Sequence, residues 1–221
     1  MGMKNLLLLT IIIGLNVTST CFGQQVFELF SALPDSAVLN LNREEREKII
    51  QISKDNNTWE DAVKDLNTKQ THFAFEKANV ENGYLKMIGN FEGKWEMKVW
   101  KITSNYSLVG IYKETCGPVC HTEQLDFYRY EKSKGFKNLN LINVFPVQKI
   151  QQYISSKLLP PYELETDDNL GYLLFQFNKD SSINVSWNEF MAEKYRLELN
   201  FQLYFLTDNL KNETYFGIKE N

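Results

Sequence analysis

Cys116-Gly-Pro-Val-Cys120, with His121 directly after it, is where residues able to do chemistry lie closest together in this chain. Two cysteines flanking a Gly-Pro loop suit a hairpin disulfide. Opposed Cα atoms in an antiparallel hairpin are about 4.5–5.5 Å apart, inside the roughly 4.4–6.8 Å that a disulfide spans. The flanking pattern fits the same pairing. If Cys116 faces Cys120, then Val109 faces Phe127, Ile111 faces Leu125 and Lys113 faces Glu123. A slip of two would set Val109 against Arg129 and Lys113 against Leu125, so the cysteines and the apolar pattern ask for one register.

Other chemistries fit these residues less well. Covalent haem attachment wants two residues between the cysteines before the histidine, and here there are three. A thioredoxin-like dithiol also wants two, at a helix N-terminus that lowers the thiol pKa; this pair sits between strands. The two histidines, His72 and His121, are far apart, and no His/Cys/carboxylate spacing matches a zinc or calcium site. Glu163, Glu165, Asp167 and Asp168 form an acidic cluster without the loop glycine of a calcium site, and read as a solvated loop. There is no G-x-S-x-G elbow and no glycine-rich phosphate loop. Glu44/Glu45 and Asp61/Asp65 have basic neighbours and read as solvated helix faces. No catalytic residue, metal ligand or cofactor is therefore assigned, and the reading favours a non-catalytic protein over an enzyme.

The elements that must hold this hairpin follow from the pattern around it. An apolar run, Leu6–Leu15, after Lys4 has the parts of a signal peptide, and residues 1–23 are assigned to it, with cleavage after Cys21-Phe22-Gly23. A lipid anchor on Cys21 is the lesser alternative, because Thr18-Ser19-Thr20 lacks the usual apolar residue at −3. The run is too short to span a bilayer, which takes roughly 20 residues, and no later segment is apolar enough. The expected location is the periplasm or the cell surface. Residues 24–221 are expected to form a single domain, with a subdivision near 146. A net charge of −4 argues against a nucleic-acid partner, which would want a basic stripe.

Asn42 and Glu45 have capping-box spacing ahead of Ile49, Ile50 and Ile52. Thr58 opens a second helix with Trp59, Ala62, Val63 and Leu66 at i, i+3, i+4 and i+7. Strands are expected over 71–79, 82–90, 94–102, 107–115 and 122–130, with Asn82-Gly83 and Glu92-Gly93 as turns, and more weakly over Leu139–Phe145. A helix from Val147 stops at Pro160-Pro161. Further strands are read at Tyr172–Asn178, Ile183–Trp187 and Tyr195–Phe205, the last alternating throughout, with an edge at Thr214–Ile218. The order implies an α+β protein, with N-terminal helices packed on a largely antiparallel sheet. Gly83-Tyr-Leu and Gly171-Tyr-Leu permit a repeated helix–sheet unit.

On the strand before the hairpin, Trp95, Met97 and Val99 share one face while Trp100 and Ile102 take the other. Either one end is covered on both sides or a bulge switches its faces. A three-residue loop after Thr103 puts Trp100 across from Gly110, whose bare backbone could receive the ring; a two-residue loop pairs it with Val109. Aromatics are 14% of the chain, enough for a β-rich core or an aromatic surface. Trp100, Tyr112, Tyr128 and Tyr130 are the candidate surface aromatics.

Trp95-Glu-Met-Lys98, Cys116-Gly-Pro-Val-Cys120, Phe127-Tyr128 and Pro34-Asp35-Ser36 resemble a family of exported Bacteroidetes proteins classed only as a domain of unknown function. The likeness is best over residues 27–130, and members carry an acidic residue where this chain has His121. The resemblance implies an envelope location and the paired cysteines, and no activity. Asp35-Ser36-Ala37 matches the short O-glycosylation pattern of that phylum, and helix capping explains it equally. The expected function is an exported envelope module that binds another protein or a glycan. The alternative is an enzyme acting on cell-wall or polysaccharide material, its site assembled from residues distant in sequence.

Overall fold

Asn42 and Glu45 close the expected capping box. The Asn42 N–H donates to Glu45 Oε2 at 2.8 Å, and the Glu45 N–H to Asn42 Oδ1 at 3.0 Å. Two of the orphan donors at a helix start are thereby satisfied, and helix α2 runs from Arg43 to Asp55. The structure is a computed structural model that describes residues 25–55, 73–89, 92–158, 172–206 and 214–219. The proposed signal peptide, Cys21, the helix from Thr58 and the acidic cluster at Glu163–Asp168 lie outside those residues.

The chain divides into two compact units, Met1–Leu85 and Lys86–Asn221. In the first, helix α1 (25–32) and α2 precede strand β1 (Phe73–Asn79) and the start of β2 (Tyr84–Gly89). Ile49, Ile50 and Ile52 are buried, and Phe27 and Phe30 pack against Phe75 with ring centroids 5.9 and 5.0 Å apart. Gly83 takes φ 67 after a short 3-10 turn, as the Asn-Gly signal requires. Pro34 precedes a second 3-10 turn, Asp35–Ala37. Arg46, 3% exposed, holds this turn by donating to Asp35 Oδ1 at 2.9 Å, to the Leu41 carbonyl at 2.6 Å and twice to the Ser31 carbonyl. The Asp35 carboxylate is thus taken by Arg46, while Ser36 is exposed.

The second unit contains β3 (Gly93–Lys101), β4 (Tyr106–Cys116), β5 (Cys120–Glu131), β6 (Gly135–Leu139), helix α3 (Val147–Lys157), β7 (Leu173–Phe177), β8 (Ile183–Trp187), helix α4 (Glu189–Tyr195), β9 (Asn200–Phe205) and β10 (Phe216–Lys219). Strands β1 to β6 follow one another in a six-stranded sheet; the second sheet has the order β10-β9-β8-β7. The pairings are antiparallel. The protein is α+β and mostly β. The expected N-terminal helical layer on one sheet is corrected, because α3 and α4 come late in the chain and there are two sheets.

Two element assignments also change. Tyr195–Phe205 is not one strand. Asn188 Oδ1 accepts the Met191 N–H at 3.0 Å and starts α4, which ends where Arg196 takes φ 49 and the Leu197 N–H reaches back to the Ala192 carbonyl. That backward bond is a helix C-cap, so the alternating pattern works as strand only from Asn200. Met191 and Tyr195, four apart, are both buried, a helical spacing hidden under the alternation. Leu139–Phe145 is likewise not a strand. Leu141–Asn143 forms a 3-10 turn capped by Asn140, and β6 lies before it.

The cysteines do pair: Cys116 and Cys120 form a disulfide across the hairpin end. The expected register holds only next to it, for Thr115 with His121 and Glu114 with Thr122. A bulge between Lys113 and Glu114 then shifts it by one, giving Lys113–Gln124, Ile111–Asp126, Gly110–Phe127 and Val109–Tyr128. Glu123 is the extra residue, and its carboxylate accepts from both Lys113 Nζ and Thr115 Oγ1. A one-residue shift moves side chains to the other face, so Phe127 joins Trp100 rather than Val109.

Between β3 and β4 the register is unbroken and sets Trp100 against Leu108, which corrects both loop alternatives. The Trp100 ring still reaches Gly110, from the diagonal position. A Cβ at Gly110 would stand 2.9 Å from Trp100 and 2.8 Å from Phe127. Trp95 through Trp100 are all buried, so this stretch is covered on both faces.

Candidate functional site: a polar groove on the second sheet

Strands β7 to β9 turn one face to the core and one outward, because successive side chains alternate. Inward go Phe175, Phe177, Val185, Phe201 and Leu203, all buried. Phe177 and Phe216 meet Trp100 edge-on, at centroid distances of 5.5 and 5.2 Å, and Phe145 meets Phe127 at 5.0 Å. Outward, the register aligns Gln176, Asn184 and Gln202 in one row and Leu174, Ser186 and Asn200 in the next. These residues, with Lys94 and Glu114 from the first sheet, line a groove of about 580 Å³.

Four of the groove's polar side chains are already engaged. Gln202 Nε2 donates to Ser182 Oγ at 2.8 Å and to Asn184 Oδ1 at 3.3 Å, and Asn184 Nδ2 donates to Asn178 Oδ1 at 3.4 Å. At one end Lys94 Nζ lies 3.4 Å from Glu114 Oε2 and over the Tyr112 ring. The Tyr112 hydroxyl donates to the same carboxylate oxygen at 2.8 Å. By contrast, Gln176, Ser186 and Asn200 make no side-chain hydrogen bond to another of the described residues and are open to a ligand.

The groove is held in place by the way β7 is fastened. The bonds Asn178 N–H to Ser182 and Asn188 N–H to Tyr172 give the even-numbered residues of β7 to β8, so the odd-numbered ones point their peptide groups away. First-sheet side chains take those groups. Thr122 Oγ1 donates to the Leu173 carbonyl, the Phe175 N–H faces the Tyr112 hydroxyl, and Glu96 Oε2 accepts the Phe177 N–H at 3.3 Å. Further along, Lys98 Nζ donates to the Lys179 carbonyl at 3.3 Å, and Trp100 Nε1 to the Ser181 carbonyl at 2.9 Å. Burial pulls the Lys98 ammonium down to about 8, opposed by Asp180. Burial also raises the Tyr112 phenol well above its ordinary value.

The candidate aromatics do not form a surface. Trp100, Tyr112 and Tyr128 are buried at 2%, 0% and 5% exposure, because both faces of β3 and β4 are covered. Tyr130 is half-buried and packs on Phe136, centroids 4.9 Å apart. Glu96, Lys98 and the groove amides were missed as functional candidates. The outward alternation of Gln176, Asn184, Asn200 and Gln202 was the available signal.

The two cysteine sulfurs are bonded to each other, which leaves no thiol for haem attachment and no thiolate for a metal. Glu114, Cys116 and Cys120 offer ligand atoms within 4.8 Å of one another, but that donor set does not fit an ion while the disulfide stands. The cysteines end two strands rather than opening a helix, so nothing there lowers a thiol pKa as in redox sites.

Fold and groove together define a two-sheet, disulfide-clipped α+β protein with a polar recess. The chain belongs to the family described as "Protein of unknown function (DUF3256)", which matches residues 18–204. No curated protein matches. Among solved structures it is similar to one described as the structure of a domain of an uncharacterized protein from Porphyromonas gingivalis W83. The TM-score is 0.53 at 14% identity, over 88% of this chain and 98% of that one. At that identity the likeness speaks for the fold alone.

Proposed function

We propose that this protein is an exported, non-catalytic binding module of the cell envelope, and that the groove on β7–β9 is its binding surface. The observation that carries the reading is the row structure of the groove. Gln176, Ser186 and Asn200 present unengaged donors and acceptors on a rigid sheet, and polar groups on such a frame fix a ligand's orientation. Export rests on the N-terminal apolar run and on the disulfide, which suits an oxidising compartment.

Among the described residues, Glu114 is the only carboxylate lining the groove, and Tyr112 and Lys94 both engage it. Hydrolysis of a glycosidic bond ordinarily takes two carboxylates. The groove therefore favours binding over the enzymatic alternative.

The test is site-directed photo-cross-linking in intact cells, with the tagged full chain carrying a photoreactive residue at Ser186 or, as control, at exposed Lys137 on β6. Adducts at 186 but not at 137 are expected. Equal labelling at both, or none at either, would remove the reading.

A further inference from the structure

We infer that the ligand of this groove is a neutral oligosaccharide. The inference rests on the binding reading above and adds the chemistry of the occupant. An amide side chain offers an N–H donor and a C=O acceptor side by side, the complement of two neighbouring hydroxyls on a sugar ring. Gln176, Asn184 and Gln202 set amides side by side across three strands, at steps of about 4.8 Å. Gln176 leaves both groups unengaged, Asn184 keeps one N–H and one lone pair, and Gln202 keeps its carbonyl. Asn200 and Ser186 add a second row one pleat along.

Charge narrows the class. Among the described residues, Lys94 and Glu114 are the only charged ones in the lining and pair with each other at 3.4 Å, so those residues offer an anion no free cation. Lys219 stands one strand further out, opposite Gln202, beyond the lining. A neutral polyhydroxyl chain matches a recess whose polar groups are uncharged or mutually neutralised.

Tyr204 supplies a platform next to the rows. It continues the outward alternation of β9 past Gln202, is 42% exposed, and lies over Gly217, where a Cβ would stand 2.8 Å from its ring. The missing side chain at Gly217 lets the ring lie flat on the sheet, as stacking against the C–H face of a sugar requires.

A protein occupant fits less well. Interface cores use apolar and aromatic anchors, whereas among the described residues the only apolar lining here besides buried Phe175 and Phe201 is half-buried Leu174. A peptide adding as a strand to β7 would need that edge free, and the outward peptide groups of β7 are taken by Thr122, Tyr112 and Glu96.

Titration calorimetry of the full chain tests this with neutral hexasaccharides of glucose, mannose, xylose and N-acetylglucosamine, and with oligogalacturonate as the charged comparator. At least one neutral sugar should bind, with little change between low and high salt. Asn200→Ala and Gln176→Ala should each weaken binding about three- to tenfold, the worth of one neutral hydrogen bond, without moving the melting temperature. Tyr204→Ala should weaken it too. Silence from all the neutral sugars, binding of the anion alone, or binding unmoved by all three substitutions would overturn the inference. With no sugar bound, adducts at position 186 would remove only the sugar and leave the groove as a binding surface. With no adducts either, both readings fall.

Discussion

The Trp100 indole N–H donates to the Ser181 carbonyl, 81 residues further along the chain, at 2.9 Å. Lys98 meets Lys179 and Glu96 meets Phe177 at the same separation. Alternate side chains of β3 therefore read successive odd-numbered peptide groups of the β7–β8 hairpin, and the two sheets are joined by polar bonds as well as by rings. Trp100→Phe keeps an aromatic ring of smaller size and removes the bond. It should cost at least about 1–3 kcal/mol, the penalty for leaving the carbonyl unpaired, with the space left by the lost half of the indole adding to it, measured by urea unfolding. An unchanged midpoint would show that the bond is replaced by water.

Lys98 makes stability depend on pH in an unusual direction. Its ammonium is pulled down to about 8 by burial, while in the unfolded chain it titrates near about 10.4. Between those values the unfolded chain holds a proton that the folded one lacks, so stability rises with pH across that window. The gain is cut off above about pH 10, because burial holds the Tyr128 phenol up to about 12 and a folded tyrosine that keeps its proton then loses stability. Unfolding midpoints at pH 7, 8, 9 and 10 should rise in the native protein and stay flatter in Lys98→Met. Parallel profiles would refute the assignment.

Gly110 is required by the rings on both sides of it. A methyl there would stand 2.8 Å from Phe127, 2.9 Å from Trp100 and 3.2 Å from Phe177. Gly110→Ala should lower stability by about 1–3 kcal/mol through overpacking and perturb tryptophan fluorescence. No loss would mean that the ring cluster yields more readily than its packing suggests.

The disulfide closes a short loop, with a sequence separation of 4. Short loops surrender little chain entropy, so replacing both cysteines by serine should cost about 2 kcal/mol and leave a folded protein. Near-native circular dichroism with a lowered melting temperature is the expected result. Complete unfolding would instead make the clip a condition of the fold.

Local signals were legible wherever a few neighbouring residues decide the outcome. Asn42 and Glu45 marked a helix start, Asn82-Gly83 a turn, Ile183–Trp187 a strand to the residue, and the two cysteines a hairpin. The sequence misled where one residue could serve two patterns. Tyr195 fits both an alternating strand and a helical pair with Met191, and the Asn188 cap with the left-handed Arg196 decided for the helix. Glu123 misled similarly. One bulged residue moved Phe127 from the face of Val109 to that of Trp100, and no composition signal distinguishes a bulge from an ordinary strand residue.

By itself the sequence determined the strands and turns around Cys116 and Cys120 and the clip between them. Each of these depends on contacts spanning a few residues, which spacing alone can express. Only the tertiary structure decided that Trp100, Tyr112 and Tyr128 are scaffold rather than surface, and that a polar face of β7–β9 is the exposed recess. Burial depends on which sheet arrives from far along the chain, and the partners of β3 lie 81 residues away.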